Sequence, residues 1–191
     1  MRAALVSSAI VFALLAPSLA AAQDSGLAPE AQEKLVGLLR AYEHVPTAEE
    51  FKALGDGTAV RDALIRLAQS DDQAPLLRGN ACLALAFYPD DTTRRAVEGL
   101  LDRPELSDLV LRRAIATMAR SFGAAGLSRL AAYLDDERDA VREAAAQGLG
   151  DIGTPAALRA LRRRLDHETA EAVQTTLRQQ ITRLEAATAA E

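Results

Sequence analysis

Residues 135–168 spell two helices back to back, and neither can bury its apolar face alone. The first is predicted from about Asp139 to Ile152, where Val141, Ala145, Leu149 and Ile152 fall at i, i+4, i+8 and i+11 on one helical face. Gly150 and Gly153 near its end suit a left-handed C-terminal turn, which a Cβ resists. Thr154 and Pro155 then restart a helix. Threonine is a good N-cap, and proline fits the first helical position because its missing N–H would go unpaired there anyway. Leu158, Leu161 and Leu165 are the apolar side of this second helix. A hairpin of this kind needs neighbours to close its core.

The neighbours are written on both sides. Aligning on the apolar-plus-Arg start of the first helix matches Leu77-Arg78, Leu111-Arg112 and Val141-Arg142, with Val173-Gln174 as a degenerate fourth copy. Four residues on stand Ala81, Ile115, Ala145 and Leu177, and eight on stand Leu85, Ala119, Leu149 and Ile181. Pro89, Gly123 and Gly153 follow as turn residues, and the second helices align through Leu101-Asp102, Leu134-Asp135 and Leu165-Asp166. Agreement at so many registers points to a repeat rather than an irregular bundle.

The Asp139-x-x-Arg142 start, the Ala-rich run, Leu149-Gly150-Asp151-Ile152-Gly153 and the Leu-rich helix ending in Leu165-Asp166 resemble HEAT repeats, of the short variety named after the phycobilisome lyases. The resemblance is sharp over 135–166, fair over about 74–186 and weak before that. A tetratricopeptide array has a similar period, but its Trp, Leu-Gly and Tyr signature is missing and the chain has no Trp. The expected fold is all-α: an α-α superhelix, a short right-handed solenoid of HEAT-like hairpins.

The expected organisation is a signal peptide over 1–22, a linker over 23–26, an N-terminal helical cap with a degenerate repeat over 27–73, HEAT-like repeats over 74–186 and a frayed tail over 187–191. Arg2, the apolar run Ala3 to Ala16, the break at Pro17 and Ser18, and Ala20-Ala21-Ala22 before Gln23 make a secretory signal cleaved after Ala22. The apolar run is too short to span a bilayer, which needs about 20 residues. The protein is therefore expected in the periplasm or secreted, with no stable membrane span after cleavage. Removing Arg2 and no acidic residue takes the net charge from −5 to −6, which argues against nucleic acid as the main partner.

In the cap, a helix is expected from Pro29 to about His44 with Leu35, Leu38, Leu39 and Tyr42 on its apolar side. Thr47 and Glu50 form a capping-box pattern, and Thr58 is expected to cap the next helix. Further helices are predicted over 75–88, 91–102, 107–122, 125–134, 138–152, 155–165 and 169–186, with Ser107 and Asp90 or Asp91 as caps. The chain is 49% hydrophobic but only 4% aromatic, so the core is mostly Ala and Leu and leaves no large aromatic pocket.

Chemistry-bearing residues are sparse. Cys82 lies mid-helix and reads as a buried free thiol, since a reactive one needs exposure and a positive neighbourhood. His44 and His167 are far apart and have no partner at ligand spacing, so neither a zinc site nor any cofactor is expected. The pairs Asp71-Asp72, Asp90-Asp91 and Asp135-Asp136 precede helices and read as caps. Arg78, Arg112 and Arg142 share one register and are expected to form a structural ladder to loop carboxylates such as Asp102, Asp108, Asp135 or Asp139. The second helices carry Arg95, then Arg129 and Tyr133, then Arg159, Arg162 and Arg163, a basic stripe on an acidic chain.

These features imply a non-enzymatic scaffold whose concave face binds another protein through an acidic segment, Arg and Tyr being favoured interface residues. The phycobilisome-lyase resemblance implies an alternative: a lyase-like or small-ligand-handling enzyme. Few aromatics and no bilin-handling motif weigh against it. The last helix, with Val173, Leu177, Ile181 and Leu184 on one side, either caps the stack or pairs with a second copy.

Overall fold

The computed structural model describes residues 26–41 and 45–189, and every regular element among them is helical. The expected signal peptide and cleavage point, most of the linker, Tyr42, His44 and the last two residues of the tail lie outside the described residues. The chain divides into two compact units, Met1–Ala81 and Cys82–Glu191.

The first unit holds α1 (Pro29–Arg40), α2 (Ala48–Lys52) and α3 (Gly57–Gln69), with α4 (Pro75–Ala84) running across the division. Leu35, Val36 and Leu39 of α1, Phe51 of α2 and Val60, Leu64 and Leu67 of α3 are buried. The capping box before α2 is complete: Glu50 N–H donates to Thr47 Oγ1 at 3.4 Å, and Thr47 N–H donates to Glu50 Oε2 at 2.8 Å. The cap of α3 is Asp56 rather than Thr58. Its Oδ1 accepts from Thr58 N–H at 2.9 Å and Ala59 N–H at 3.1 Å. A carboxylate one residue ahead of the first turn reaches two free donors, whereas Thr58 already lies inside that turn.

The second unit continues with α5 (Asp91–Leu101), α6 (Asp108–Phe122), α7 (Leu127–Ala132), α8 (Asp139–Ile152), α9 (Pro155–Leu165) and α10 (Glu171–Ala189). Short 3-10 turns at Leu85–Phe87, Gly123–Gly126 and Tyr133–Asp135 follow α4 and flank α7. Within this unit α6, α8 and α10 pack side by side as the most extensive contacts. The alternate helices α5, α7 and α9 lie against them. Asp90 caps α5, accepting from Thr93 N–H at 2.8 Å, and Thr154 caps α9, accepting from Ala157 N–H at 3.2 Å. Ser107 sits at the N-cap of α6 but its hydroxyl makes no capping bond. Gly153 closes α8 at φ 72°, ψ 6°, the left-handed turn its sequence position asked for. Gly150 has a different job. It is buried inside α8, and the space a Cβ would take is filled by the side-chain ends of Gln180 and Arg183 of α10.

The helix starts, and the burial of Arg78 and Arg142 against the exposure of Arg112, place the repeat register one residue away from the expected one in α6. Counted from the helix starts, Pro75, Asp108, Asp139 and Glu171, the third residues are Leu77, Val110, Val141 and Val173, all buried. Four and eight further on come Ala81, Ala114, Ala145 and Leu177, then Leu85, Met118, Leu149 and Ile181, again all buried. The equivalent of Arg78 and Arg142 is therefore Leu111, not Arg112. The reason is length: α6 has 15 residues and α8 has 14. The Gly123–Gly153 match holds at the C-terminal ends, the Val110–Val141 match at the N-terminal ends, and the surplus residue lies between.

The last helix runs to Ala189 and begins at Glu171, longer than predicted. Val173, Leu177, Ile181 and Leu184 are all buried, while Arg178, Gln179, Thr182 and Arg183 are exposed. The side of the helix turned away from α8 is thus polar.

Candidate functional site

The buried fourth position of a first helix has one structural duty: it hydrogen-bonds carbonyls of the chain just before that helix. Arg78 Nε donates to Ala68 O at 3.2 Å. Arg142 Nη1 donates to Asp136 O at 2.8 Å and Glu137 O at 3.0 Å. Gln174 Nε2 donates to Glu168 O at 2.6 Å. In the unit of α6 the position is Leu111, and Arg138 of the following unit covers the loop instead, with Nη1 at 3.3 Å from Leu106 O and 3.2 Å from Asp108 Oδ1.

The ladder expected from Arg78, Arg112 and Arg142 is therefore not uniform. Arg78 pairs with Asp71 at 3.0 Å, and Arg142 with Asp139 at 2.6 Å and Glu168 at 2.8 Å. Arg112, turned about 100° by the offset of one residue, is exposed and meets no carboxylate among the described residues. The hub of the network is Glu168, whose side chain is wholly buried. It accepts from Arg142, from Arg164 Nη2 at 2.9 Å and from the N–H groups of Thr169 and Ala170 at 2.9 Å each. The Arg142 guanidinium, beside it in a two-pronged contact, holds its carboxyl down at about 2 despite burial. Sequence reasoning passed over Glu168 because its two-pronged partner, Arg142, lies 26 residues upstream, and the local Arg164 alone does not announce a buried carboxylate.

The second-helix stripe is partly neutralised. Arg129 forms an ion pair with Asp102, and Tyr133 O–H donates to Leu101 O, so both fasten α7 to the end of α5. Burial pushes the Tyr133 phenol up. Arg162 Nη2 pairs with Glu185 at 2.6 Å. Arg95 on α5 and Arg159 and Arg163 on α9 remain exposed, with no ion pair to a carboxylate among the described residues. A shallow depression at the ends of α7 and α9 is lined by Leu134, Asp135, Arg163, Arg164, Asp166 and His167. Its charges largely cancel, since Arg164 is held by Asp135 at 3.0 Å and by Glu168.

A second depression, of about 350 Å³, lies between α6 and α8. Arg112, Arg113, Ala116 and Arg120 line it from α6, and Ala144, Gln147, Gly148 and Asp151 from α8. Gly148 is closed in from below: a Cβ there would meet Ala119 at 3.3 Å and Ile115 and Leu130 at 3.4 Å. Three guanidiniums face one carboxylate. That carboxylate, Asp151, is 4.0 Å from Arg120 and also pairs with Arg183 at 3.2 Å.

The remaining candidates take structural places. Cys82 is fully buried, its Sγ 3.9 Å from Thr117 Oγ1, and burial pushes the thiol up to about 12, which leaves it no thiolate at neutral pH. Asp90 caps a helix, whereas Asp71, Asp91, Asp135 and Asp136 pair with Arg78, Arg94, Arg164 and Arg138. His167 is exposed just past α9. Among the described residues no group of His, Cys, Asp and Glu is arranged to hold a metal, and no helix is long and apolar enough to cross a membrane.

The comparisons with known proteins agree with this geometry. The family model for HEAT repeats matches residues 104–182. Among solved structures, a designed armadillo repeat protein in complex with the peptide (KR)4 is 18% identical, covers 91% of this chain and 92% of its own, and superimposes with a TM-score of 0.51. An engineered protein is 20% identical over 95% of this chain and 94% of its own, with a TM-score of 0.50. No curated protein matches. The fold is an all-α repeat of the HEAT/armadillo type.

Proposed function

We propose that this protein is a non-enzymatic protein-binding scaffold that works in the periplasm or beyond the cell, sent there by residues 1–22 and cut between Ala22 and Gln23, and that it engages an acidic segment of its partner. One observation carries the reading: on a chain of net charge −5, Arg95, Arg159 and Arg163 stand exposed on the second helices without carboxylate partners. Exposed guanidiniums held on rigid helices are poised for bidentate contact with carboxylates. The armadillo-type neighbour was solved with a peptide of alternating Lys and Arg. Here the free surface charge is of the opposite sign to the one that peptide requires, so an acidic ligand is the counterpart.

The experiment is a pull-down from envelope extract with the parent and with Arg159→Glu/Arg163→Glu as baits. A partner captured by the parent and lost by the variant supports the reading. A partner held equally by both removes these residues from the contact. Mass spectrometry of the protein recovered from the periplasm tests the export: an N-terminus at Gln23 is expected, and an intact Met1 with cytoplasmic recovery overturns it.

A further inference from the structure

The second helices α5, α7 and α9 stand level with one another. Tyr133, the residue before Leu134, donates its O–H to Leu101 O, and Arg164, the residue before Leu165, donates from Nη1 to Asp135 Oδ1 at 3.0 Å. Each bond ties the end of one second helix to the end of the one before it. Counting back from Leu101, Leu134 and Leu165 therefore gives rows that run across the three helices. One row is Arg95, Ser128 and Arg159, the next is Gly99, Ala132 and Arg163, and all of these residues are exposed. Cations stand at both ends, and the exposed positions of α7 between them carry only small side chains. Just past the counted leucines, Asp102, Asp135 and Asp166 border this surface on one side. Arg129 and Arg164 pair with the first two.

We infer that an extended acidic segment of the partner crosses α5, α7 and α9 along the Arg95–Ser128–Arg159 row, with one carboxylate on Arg95 and a second, six residues along, on Arg159 and Arg163. The inference rests on the scaffold reading and adds the direction and spacing of its ligand. Packed helices lie about 8 to 10 Å apart, so two steps separate Arg95 from Arg159 by about 16 to 20 Å. An extended chain advances about 3.3 Å per residue, so side chains at i and i+6 stand about 20 Å apart on one face. Ser128 and Ala132 let that backbone pass close to α7. A segment lying along α9 instead would need carboxylates two residues apart, because about 6 Å of helix separates Arg159 from Arg163. It would then run toward Asp166 and leave Arg95 unused.

The test titrates the purified, isotope-labelled protein with acetyl-GEGSGSGEG-amide and with acetyl-GSGEGEGSG-amide, which has the same composition but glutamates two residues apart, and follows backbone amides by NMR. In about 0.1 M salt the Debye length is about 10 Å, so the two ends of the row are screened from each other and a loss at either reports contact. The first peptide should bind saturably, at least threefold more tightly than the second, and should shift the amides of Gly99, Ser128 and Ala132. Arg95→Glu and Arg159→Glu/Arg163→Glu should each weaken it at least threefold, with circular dichroism unchanged because these side chains are exposed. Equal or tighter binding of the second peptide overturns the inference. No saturable binding of the first also overturns it, and the envelope pull-down then judges the scaffold reading by itself. Loss in Arg159→Glu/Arg163→Glu with unchanged binding in Arg95→Glu overturns the crossing path while leaving the acidic-segment scaffold standing on α9. Unchanged binding in both variants overturns the inference and takes these arginines out of the scaffold reading as well.

Discussion

Arg142 and Glu168 are clasped by two parallel bonds, Nε to Oε2 at 2.8 Å and Nη2 to Oε1 at 3.0 Å, with the Glu168 side chain wholly buried and the Arg142 side chain 8% exposed. This pair ties α8 to the loop that launches α10. Removing one partner strands a buried charge, which costs about 3 to 5 kcal/mol. Arg142→Leu and Glu168→Leu should each lower the free energy of unfolding in urea titrations by that amount, and the double variant should recover part of the loss. A double variant no better than either single one would show that the pair is not the coupling.

Acid should release the same clasp. The Glu168 carboxyl falls from the ordinary 4.5 to about 2 on folding. Its stabilisation is fully present above about pH 4.5, where the unfolded chain is also ionised, and disappears as pH falls toward 2. At 1.36 kcal/mol per pKa unit the loss is roughly 3 kcal/mol. Urea unfolding at pH 6 and pH 2.5 should show this drop in the parent and a clearly smaller one in Glu168→Gln.

Arg112 supplies the contrast. It shares the Leu-Arg dipeptide of its neighbours but makes no ion pair among the described residues, so Arg112→Ala should change stability by less than about 0.5 kcal/mol. A loss as large as that of Arg142→Leu would restore the ladder that the sequence pattern implied.

Gly153 is bound by its backbone. At φ 72° an added Cβ strains the turn, and Gly153→Ala should cost about 1 kcal/mol. Thermal unfolding measures it, and Gly153→Asn should recover part of the loss because Asn tolerates this region.

Cys82 should ignore thiol reagents while the protein is folded. Its labelling rate with a neutral maleimide should rise in step with the unfolded fraction in urea. Rapid labelling in buffer would contradict its burial and raised pKa.

Much of this fold is legible locally. The Thr154-Pro155 start, the Gly153 stop, the Thr47–Glu50 box and the apolar rows through Val141 and Leu149 depend on residues within a turn or two of each other. The failures are those that depend on distance or on one residue of phase. Leu111-Arg112 imitates Val141-Arg142 because α6 opens with three apolar residues in a row, Leu109, Val110 and Leu111, and both alignments bury an apolar row. Arg129 and Arg162 looked available because Asp102 and Glu185, which hold them, lie 27 and 23 residues away. The groove of Arg112, Arg113 and Arg120 was invisible for the same reason: its second wall arrives only when α8 packs against α6.

The extra residue in α6 has a meaning for how such a chain changes over generations. In a repeat array, inserting one codon within a helix leaves composition and apolar content almost untouched, yet turns the following side chains through about 100°. A guanidinium that braces the loop in one unit becomes one that greets the outside in the next. New surfaces on this architecture are therefore reachable by small changes of length as well as by substitution, and comparison of related chains position by position will overlook them unless each helix is aligned from both of its ends.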